Sequence, residues 1–388
     1  MDNDRELASS ELRAAALNSE SAGPARLSPY QSPQDIFSPN GTDSNWPNTP
    51  RDRRDFKIAI ICALPLEASA VLALFDMRWN NQTYGRVPGD SNIYTTGVIG
   101  NHNVVLVYMP NMGKVAAATA AAYLRASFQG IQLALVVGVC GGAPFEGPLC
   151  EDILLGDVVI SEGLVQYDLG RLFHNRFACK DTLRDNLPRP GPEIRATLAK
   201  LQTEQGRTSL YDKISKYLRV LRQELNDMVT YPGATEDRLF KSTYRHKHHS
   251  LGECAICDND SGRDDICDVA TRMSCEQLKC DEQKLVSRVR VSQPFNPAVH
   301  FGLIASGDIV MKSGEYRDEI SVRDGVIAFE MEGAGMWEKF PSSLVIKGIC
   351  DYADSHKSKR WQGYAAATAA AVMKAFLEDW ITGIQLHI

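Results

Sequence analysis

The chain has 388 residues, with 48 acidic against 42 basic side chains for a formal charge of −6; 44% of residues are hydrophobic and 23% charged. Those values exclude a wholly disordered, collagenous or coiled-coil chain, and they give no global attraction to nucleic acid or an anionic membrane surface. No apolar run approaches the roughly 18–20 residues that cross a bilayer, the first residues lack the pattern of a secretory signal, and ten cysteines are too sparse for a disulfide scaffold, so the expectation is a cytoplasmic protein with reduced thiols.

Residues 1–54 hold six of the 18 prolines and eight serines, with few aliphatic clusters. Such a stretch buries too little apolar surface to offset its ordering entropy, and it reads as a disordered tail with a short helix at 6–17. At Asp55 the texture changes. Residues 56–64 (FKIAIICAL) form a nearly continuous apolar run, as in a strand covered on both faces. Pro65 then opens a helix over 66–75. Further strands are expected at 103–109, 133–139, 157–161, 301–305, 326–329 and 344–349, and helices at 113–128, 333–340 and 361–381. Strands interleaved with helices indicate an α/β fold. Residues 174–297 differ: they are rich in charge, carry helical patches near 193–205 and 209–228, and hold five cysteines between Cys254 and Cys280. They read as a long peripheral insertion in a single domain spanning 55–388.

Four motifs sit at ends of predicted strands, the edge where open α/β sheets bind ligands. Glu67 follows the first strand, either facing that crevice or complementing a helix dipole. Gly141 and Gly142 form a turn after 133–139 that lets a ligand approach the backbone. No GxGxxG or GxxxxGK[ST] occurs, which leaves dinucleotide and P-loop binding unsupported. Glu330 and Glu332 lie two apart at a strand end, and a carboxylate there suits a vicinal diol; a solvent-exposed acidic strand end is the alternative. Asp351 ends the last strand, as a proton donor or as a helix N-cap, and Lys347 on that strand is placed to pair with Glu330 or Glu332.

Taken together, the order strand–Glu67, Gly141-Gly142, ASGD (305–308), EMEG (330–333) and ICDYAD (349–354) resembles the nucleoside phosphorylase superfamily. Within it the likeness is to methylthioadenosine/S-adenosylhomocysteine nucleosidases, and more specifically to the nucleosidase-like domains of filamentous fungi. It covers 55–173 and 298–385. The resemblance implies a three-layer α/β/α fold around a mixed, twisted central sheet, purine ribonucleoside as substrate, no cofactor and a homodimer. It implies Glu67 as the base for water, Asp351 as the acid protonating purine N7, and Glu332 as the ribose clamp with Met331 beneath the sugar. Glu330 and Lys347 become a supporting pair, and Val310 and Met311 fall in the base-binding stretch.

Three departures bear on specificity. Val310 stands where bacterial nucleosidases stack a Phe on adenine, and Pro110 stands where their glycine-lysine turn has Ser. The phosphate-holding Arg of the hexameric phosphorylases is missing from 135–140 (LVVGVC), which favours water over phosphate as acceptor. The cysteine-rich stretch has one CxxC, Cys254 and Cys257, with irregular spacing beyond it. It reads as scattered reduced thiols on a surface insertion, with no metal site.

Overall fold

The computed structural model describes residues 47–146, 151–174, 176–180, 182, 187–250, 252–258, 266–292 and 296–382. The expected helix at 6–17 and most of the expected tail lie outside them. The tail's last residues pack against the domain: Tyr84 donates to the Pro50 carbonyl at 3.1 Å, and Arg53 Nε donates to Ser127 O at 2.8 Å. No helix among the described residues is long and apolar enough to cross a membrane.

The strands are β1 (Ile58–Cys62), β2 (Met77–Arg78), β3 (Ile93–Ile99), β4 (His102–Tyr108), β5 (Leu133–Gly142), β6 (Phe145–Glu146), β7 (Glu151–Asp152), β8 (Val158–Val165), β9 (Gly170–Phe173), β10 (Arg176–Cys179), β11 (Val299–Ser306), β12 (Val326–Glu330) and β13 (Ser343–Asp351). The helices are α1 (Pro65–Ala73), α2 (Asn81–Tyr84), α3 (Lys114–Ser127), α4 (Pro192–Gln202), α5 (Glu204–Leu225), α6 (Gly314–Asp324), α7 (Gly333–Trp337) and α8 (Gln362–Asp379). Every strand expected from an apolar run is present, with ends shifted by a few residues.

Nine strands form one mixed sheet in the order β12-β11-β8-β13-β5-β1-β4-β3-β2. β1 runs parallel to β4 and β5, β5 parallel to β13, and β8 antiparallel to β13. The end of β5 also pairs antiparallel with β12, Gly141 with Phe329 and Gly142 with Ala328. That pairing closes β5, β13, β8, β11 and β12 into a ring. The two glycines therefore continue a strand, where the sequence pattern predicts a turn.

Period-two alternation builds the two faces. Ile58 and Ile60 of β1, Val104 and Leu106 of β4, and Leu133 and Leu135 of β5 face one apolar core with α1, α5 and α8. Ala59 and Ile61, Val105 and Val107, and Ala134 and Val136 face the other with α3 and α7. The architecture is thus three-layer α/β/α. In α8 every residue from Tyr364 to Leu377 is buried, because the helix lies between the sheet and α1 and α5.

The stretch 174–297, expected at the periphery, divides in two. Leu198, Leu201, Leu210, Ile214 and Leu221 of α4 and α5 belong to the main core. Beyond α5, the described residues to 292 carry only short 3-10 turns and one isolated bridge, Phe240 with Leu285. Their small core of Phe240, Ala270 and Leu278 includes Cys257, Cys267 and Cys280.

Candidate active site

Glu67 sits in the first turn of α1, with its side chain turned back toward the sheet. Its Oε2 accepts from the amides of Ala63 at 2.9 Å and Leu64 at 2.8 Å, and its Oε1 accepts from Val139 N of β5 at 2.8 Å. The residue is 2% exposed. Gly138 makes this fit: a Cβ there would lie 2.1 Å from Glu67 Oε1. Glu67 thus binds backbone amides at the start of α1 and, across the sheet, an amide of β5.

Lys347 of β13 stands beside Gly138 in register. Its Nζ donates to Glu332 Oε2 at 2.8 Å and lies 4.0 Å from Glu330 Oε2. The closer partner is thus Glu332, the residue to which the resemblance gives the ribose. Glu330 instead accepts from the amides of Glu332 at 2.9 Å and Gly333 at 2.9 Å, pinning the turn between β12 and α7. Glu332 Oε1 accepts from Gly113 N, at the start of α3, at 3.4 Å.

Three buried carboxylates therefore surround one buried ammonium. Burial raises Glu67 above the ordinary carboxylate range, and Lys347 opposes the shift. Glu330 is raised by burial too, with Lys347 opposing and Glu332 adding to it. Burial on its own would depress Lys347, but Glu332, Glu67 and Glu330 outweigh it and hold the ammonium well above its usual value. The cluster is negative overall when its acids are ionised, and it is enclosed where solvent screening is weak.

Asp351 ends β13 opposite Gly141. Gly141 lies three residue steps along β5 from Gly138, about 10 Å. Asp351 Oδ1 accepts from Ala353 N at 2.8 Å and lies 3.3 Å from Lys357 Nζ. Ala353 holds φ of 51°, a left-handed conformation costing a non-glycine residue about 1–2 kcal/mol. Arg317 Nη1 donates to the neighbouring Tyr352 carbonyl at 2.7 Å and holds that bend. A Cβ on Gly141 would meet Asp351 Oδ1 and Ala353 Cβ at 2.9 Å, so this glycine serves the packing of the strand end.

Val310 and Met311 follow β11. Met311 is buried against the sheet and Val310 is 50% exposed. The loop that bears them is tied to the start of α3, where Lys114 N donates to Asp308 Oδ1 at 2.8 Å and Lys114 Nζ reaches Asp168 Oδ1 at 2.5 Å. Met331, half-buried, sits in the bend between Glu330 and Glu332.

Sequence reasoning passed over Gly138, Lys357 and Ser306. Ser306 Oγ accepts from Ala334 N at 2.9 Å and, like Glu330, fixes the start of α7. Its signal was the ASGD run itself. Lys357 belongs to the basic run HKSK, which looks like solvated surface until Asp351 is beside it.

The cysteines expected to be scattered are gathered. His246, Cys275, Cys280 and His356 bring one ligand atom each to within 4.8 Å of one another, and so do His248, Cys254, Cys257 and Cys267. Linear spacing hid this, because a histidine from each group lies in the same short stretch and His356 comes from beyond β13.

Comparison with known proteins gives three findings. The family model described as Phosphorylase superfamily matches residues 57–211. A nucleotide-binding leucine-rich repeat (NLR)-like protein of Hyaloscypha variabilis is 31% identical over 329 residues, 83% of this chain and 29% of the relative, so this chain spans under a third of that relative's length. Among solved structures, a 5′-methylthioadenosine/S-adenosyl homocysteine nucleosidase of Helicobacter pylori is 19% identical, covering 83% of this chain and 98% of that one at a TM-score of 0.49. The futalosine hydrolase of Helicobacter pylori is 19% identical, with 83% and 97% covered at 0.48. The MTA/SAH nucleosidase of Streptococcus pneumoniae is 21% identical, with 83% and 99% covered at 0.48. Residues 57–211, the stretch that carries β1, β4, β5 and β8, are thus similar to the phosphorylase superfamily.

Proposed function

We propose that the chain is a purine ribonucleoside hydrolase that releases free base and ribose. The observation that carries this reading is the gathering of Glu67, Glu332 and Lys347, from three separate motifs, at one point beside β5, with Asp351 about 10 Å along the same strand. That spacing leaves room for a sugar at the buried cluster and a purine at Asp351.

Breaking an N-glycosidic bond develops positive charge on the sugar and negative charge on the leaving base. The negative cluster at Glu67, Glu330 and Glu332 suits the first charge. Asp351 as a carboxylic acid supplies the proton that neutralises the second at N7. Glu332, fixed by Lys347, presents its carboxylate to the ribose hydroxyls. Glu67 orients a water on the sugar face opposite the base and takes its proton, as the base does in inverting glycosidases. Glu332 is held by a lysine here, where the nucleosidases that the sequence resembles usually have Arg.

Water is favoured over phosphate because Lys347 is committed to Glu332 and residues 135–140 carry no cation. Self-association as a homodimer belongs to the same proposal. Met112 just before α3, Val115 in its first turn, and Ile309 and Val310 on the loop tied to it, are exposed apolar side chains.

The test is incubation with adenosine, guanosine, inosine and methylthioadenosine, with and without phosphate, followed by identification of base and sugar. Free ribose without phosphate supports the proposal. Ribose 1-phosphate would replace it with a phosphorylase, and turnover confined to methylthioadenosine would replace it with a nucleosidase of narrower substrate. Saturable nucleoside binding with no products at all would make the domain a sensor.

A further inference from the structure

We infer that the segment after α5 holds two tetrahedral zinc ions, one on His246, Cys275, Cys280 and His356, the other on His248, Cys254, Cys257 and Cys267. The inference rests on four observations, and none of them depends on the proposed reaction.

The first is geometry. Zinc bonded to sulfur at about 2.3 Å and to imidazole nitrogen at about 2.05 Å has tetrahedral edges of about 3.8 Å between sulfurs and about 3.6 Å between sulfur and nitrogen. At one site Cys275 Sγ lies 3.7 Å from His246 Nδ1 and 3.6 Å from His356 Nδ1, and Cys280 Sγ lies 3.5 Å from His246 Nδ1. At the other, Cys254 and Cys267 sulfurs are 3.7 Å apart, and His248 Nδ1 lies 3.4 Å from Cys257 Sγ and 3.9 Å from Cys267 Sγ. None of Cys254, Cys257, Cys267, Cys275 and Cys280 is in a disulfide, so no disulfide accounts for the gathering.

The second is the tautomer. His246 Nε2 is 2.9 Å from Met273 O, and His356 Nε2 is 3.0 Å from Tyr244 O. A carbonyl only accepts, so each Nε2 carries the hydrogen and each Nδ1 turns its lone pair to the sulfurs. Backbone carbonyls commonly orient metal-bound histidines in this way.

The third is the donor set. Two sulfurs with two nitrogens, and three sulfurs with one nitrogen, in a closed tetrahedron are the combinations of structural zinc sites. The sequence order nests them: every ligand of the second site falls between His246 and Cys275. The fourth is the poverty of the local core. The described residues of this segment form no helix beyond 3-10 turns, and cysteines make up much of their buried apolar set. Segments that cannot close a hydrophobic core use metal to offset their ordering entropy.

His356 lies five residues beyond Asp351, so the first site fastens this segment to the bend at the end of β13. Its ring stacks on Phe240 at 4.1 Å, and Ser355 Oγ accepts from His246 N at 3.1 Å. Zinc is thus a positioning group for that bend and does not touch the reacting atoms.

The experiment is elemental analysis of the full chain, purified without chelator from zinc-supplemented cells and dialysed, together with absorption spectra after exchange to Co2+. Two zinc per chain, and a sulfur-to-cobalt charge-transfer band with the strong visible bands of tetrahedral Co2+, are expected. Cys257→Ser and Cys280→Ser should each reduce the content to one. The wild-type stoichiometry and spectrum stand even if a variant fails to fold. Less than half an equivalent of any metal, with the thiols freely alkylated in the folded protein, would overturn the inference. One equivalent lost with only one of the two variants would overturn the other site. Metal content is read independently of nucleoside turnover, so failure of this inference and failure of the proposed reaction are separable.

Discussion

The buried cluster at Glu67, Glu332 and Lys347 and the bend at Asp351–His356 both lie beside β5 but are built differently. The first is fixed by the sheet. Glu67 and Glu330 accept backbone amides from the ends of β1, β5 and β12, and Lys347 projects from a strand buried along nearly its whole length. The second is fixed by side chains from a segment with little regular structure. Tyr352 OH donates to Asp237 Oδ1 at 2.6 Å, Arg288 bonds both Asp237 and the Tyr352 hydroxyl, and His356 joins the cysteine–histidine group. A site made by backbone geometry resists change because every strand would have to shift. A site made by side-chain staples depends on a few groups, each of which can be removed on its own.

The comparison breaks most visibly in turnover. Asp351→Asn keeps shape and removes the proton, and nucleoside hydrolysis should fall by about 10²–10⁴-fold, the usual worth of one acid or base. Thermal unfolding should stay within a few degrees of wild type, because Ala353 N retains an oxygen to donate to. Near-full activity on adenosine and guanosine would remove Asp351 from the role of acid.

The buried cluster should show the reverse, with a large effect on stability. Lys347→Met leaves Glu332, Glu330 and Glu67 with no counter-charge in an enclosed site, and breaking a buried pair in this way costs about 3–5 kcal/mol. Denaturant unfolding measures it. Lys347→Met combined with Glu332→Gln should recover part of the loss. A loss below about 1 kcal/mol for Lys347→Met would mean that the carboxylates already hold protons enough to need no cation.

Backbone fit is tested by Gly138→Ala. Its Cβ would lie 2.1 Å from Glu67 Oε1 within a buried strand, so Glu67 must leave Val139 N. Overpacking of this kind costs about 1–3 kcal/mol, and hydrolysis should fall with it. Gly252→Ala, in the stapled segment, meets open space and carries only the strain of φ +86°, about 1–2 kcal/mol. Activity should ignore it.

What the sequence made legible follows the same division. Apolar runs such as 56–64 and 133–139 reported buried strands because period and burial are local properties, and the acids at their ends were found by position alone. The closing of β5 onto β12 was not legible, since no local signal says that Gly141 pairs with Phe329. The core role of α5 was obscured by its charge, although Leu210, Ile214, Leu218 and Leu221 recur at helical spacing. The cysteine groups were hidden because His246 and His248, two residues apart, go to different groups and His356 arrives from beyond β13. Ligand sets assembled from His246 to His356 cannot be read from the spacing of one CxxC.

The smallest expected effect is on pH. Glu67 serves as a base only when ionised, and burial lifts its pKa above the ordinary 4.5. The acid limb of the turnover profile should therefore lie above 4.5. Lys347 is the main opposing influence, so active Lys347→Met protein should show that limb at still higher pH. Linkage fixes the sign for stability. Between 4.5 and the folded-state value the native protein holds the Glu67 proton more tightly than the unfolded chain does, so stability falls as pH rises through that window, by about 1.4 kcal/mol for each pH unit the window spans. Glu67→Gln should remove that component. The difference between wild-type and Glu67→Gln unfolding free energies, measured from about pH 4 to about pH 8, should decline with pH and then level. A difference independent of pH would mean that Glu67 titrates as an ordinary carboxylate and that the backbone amides around it offset its burial completely.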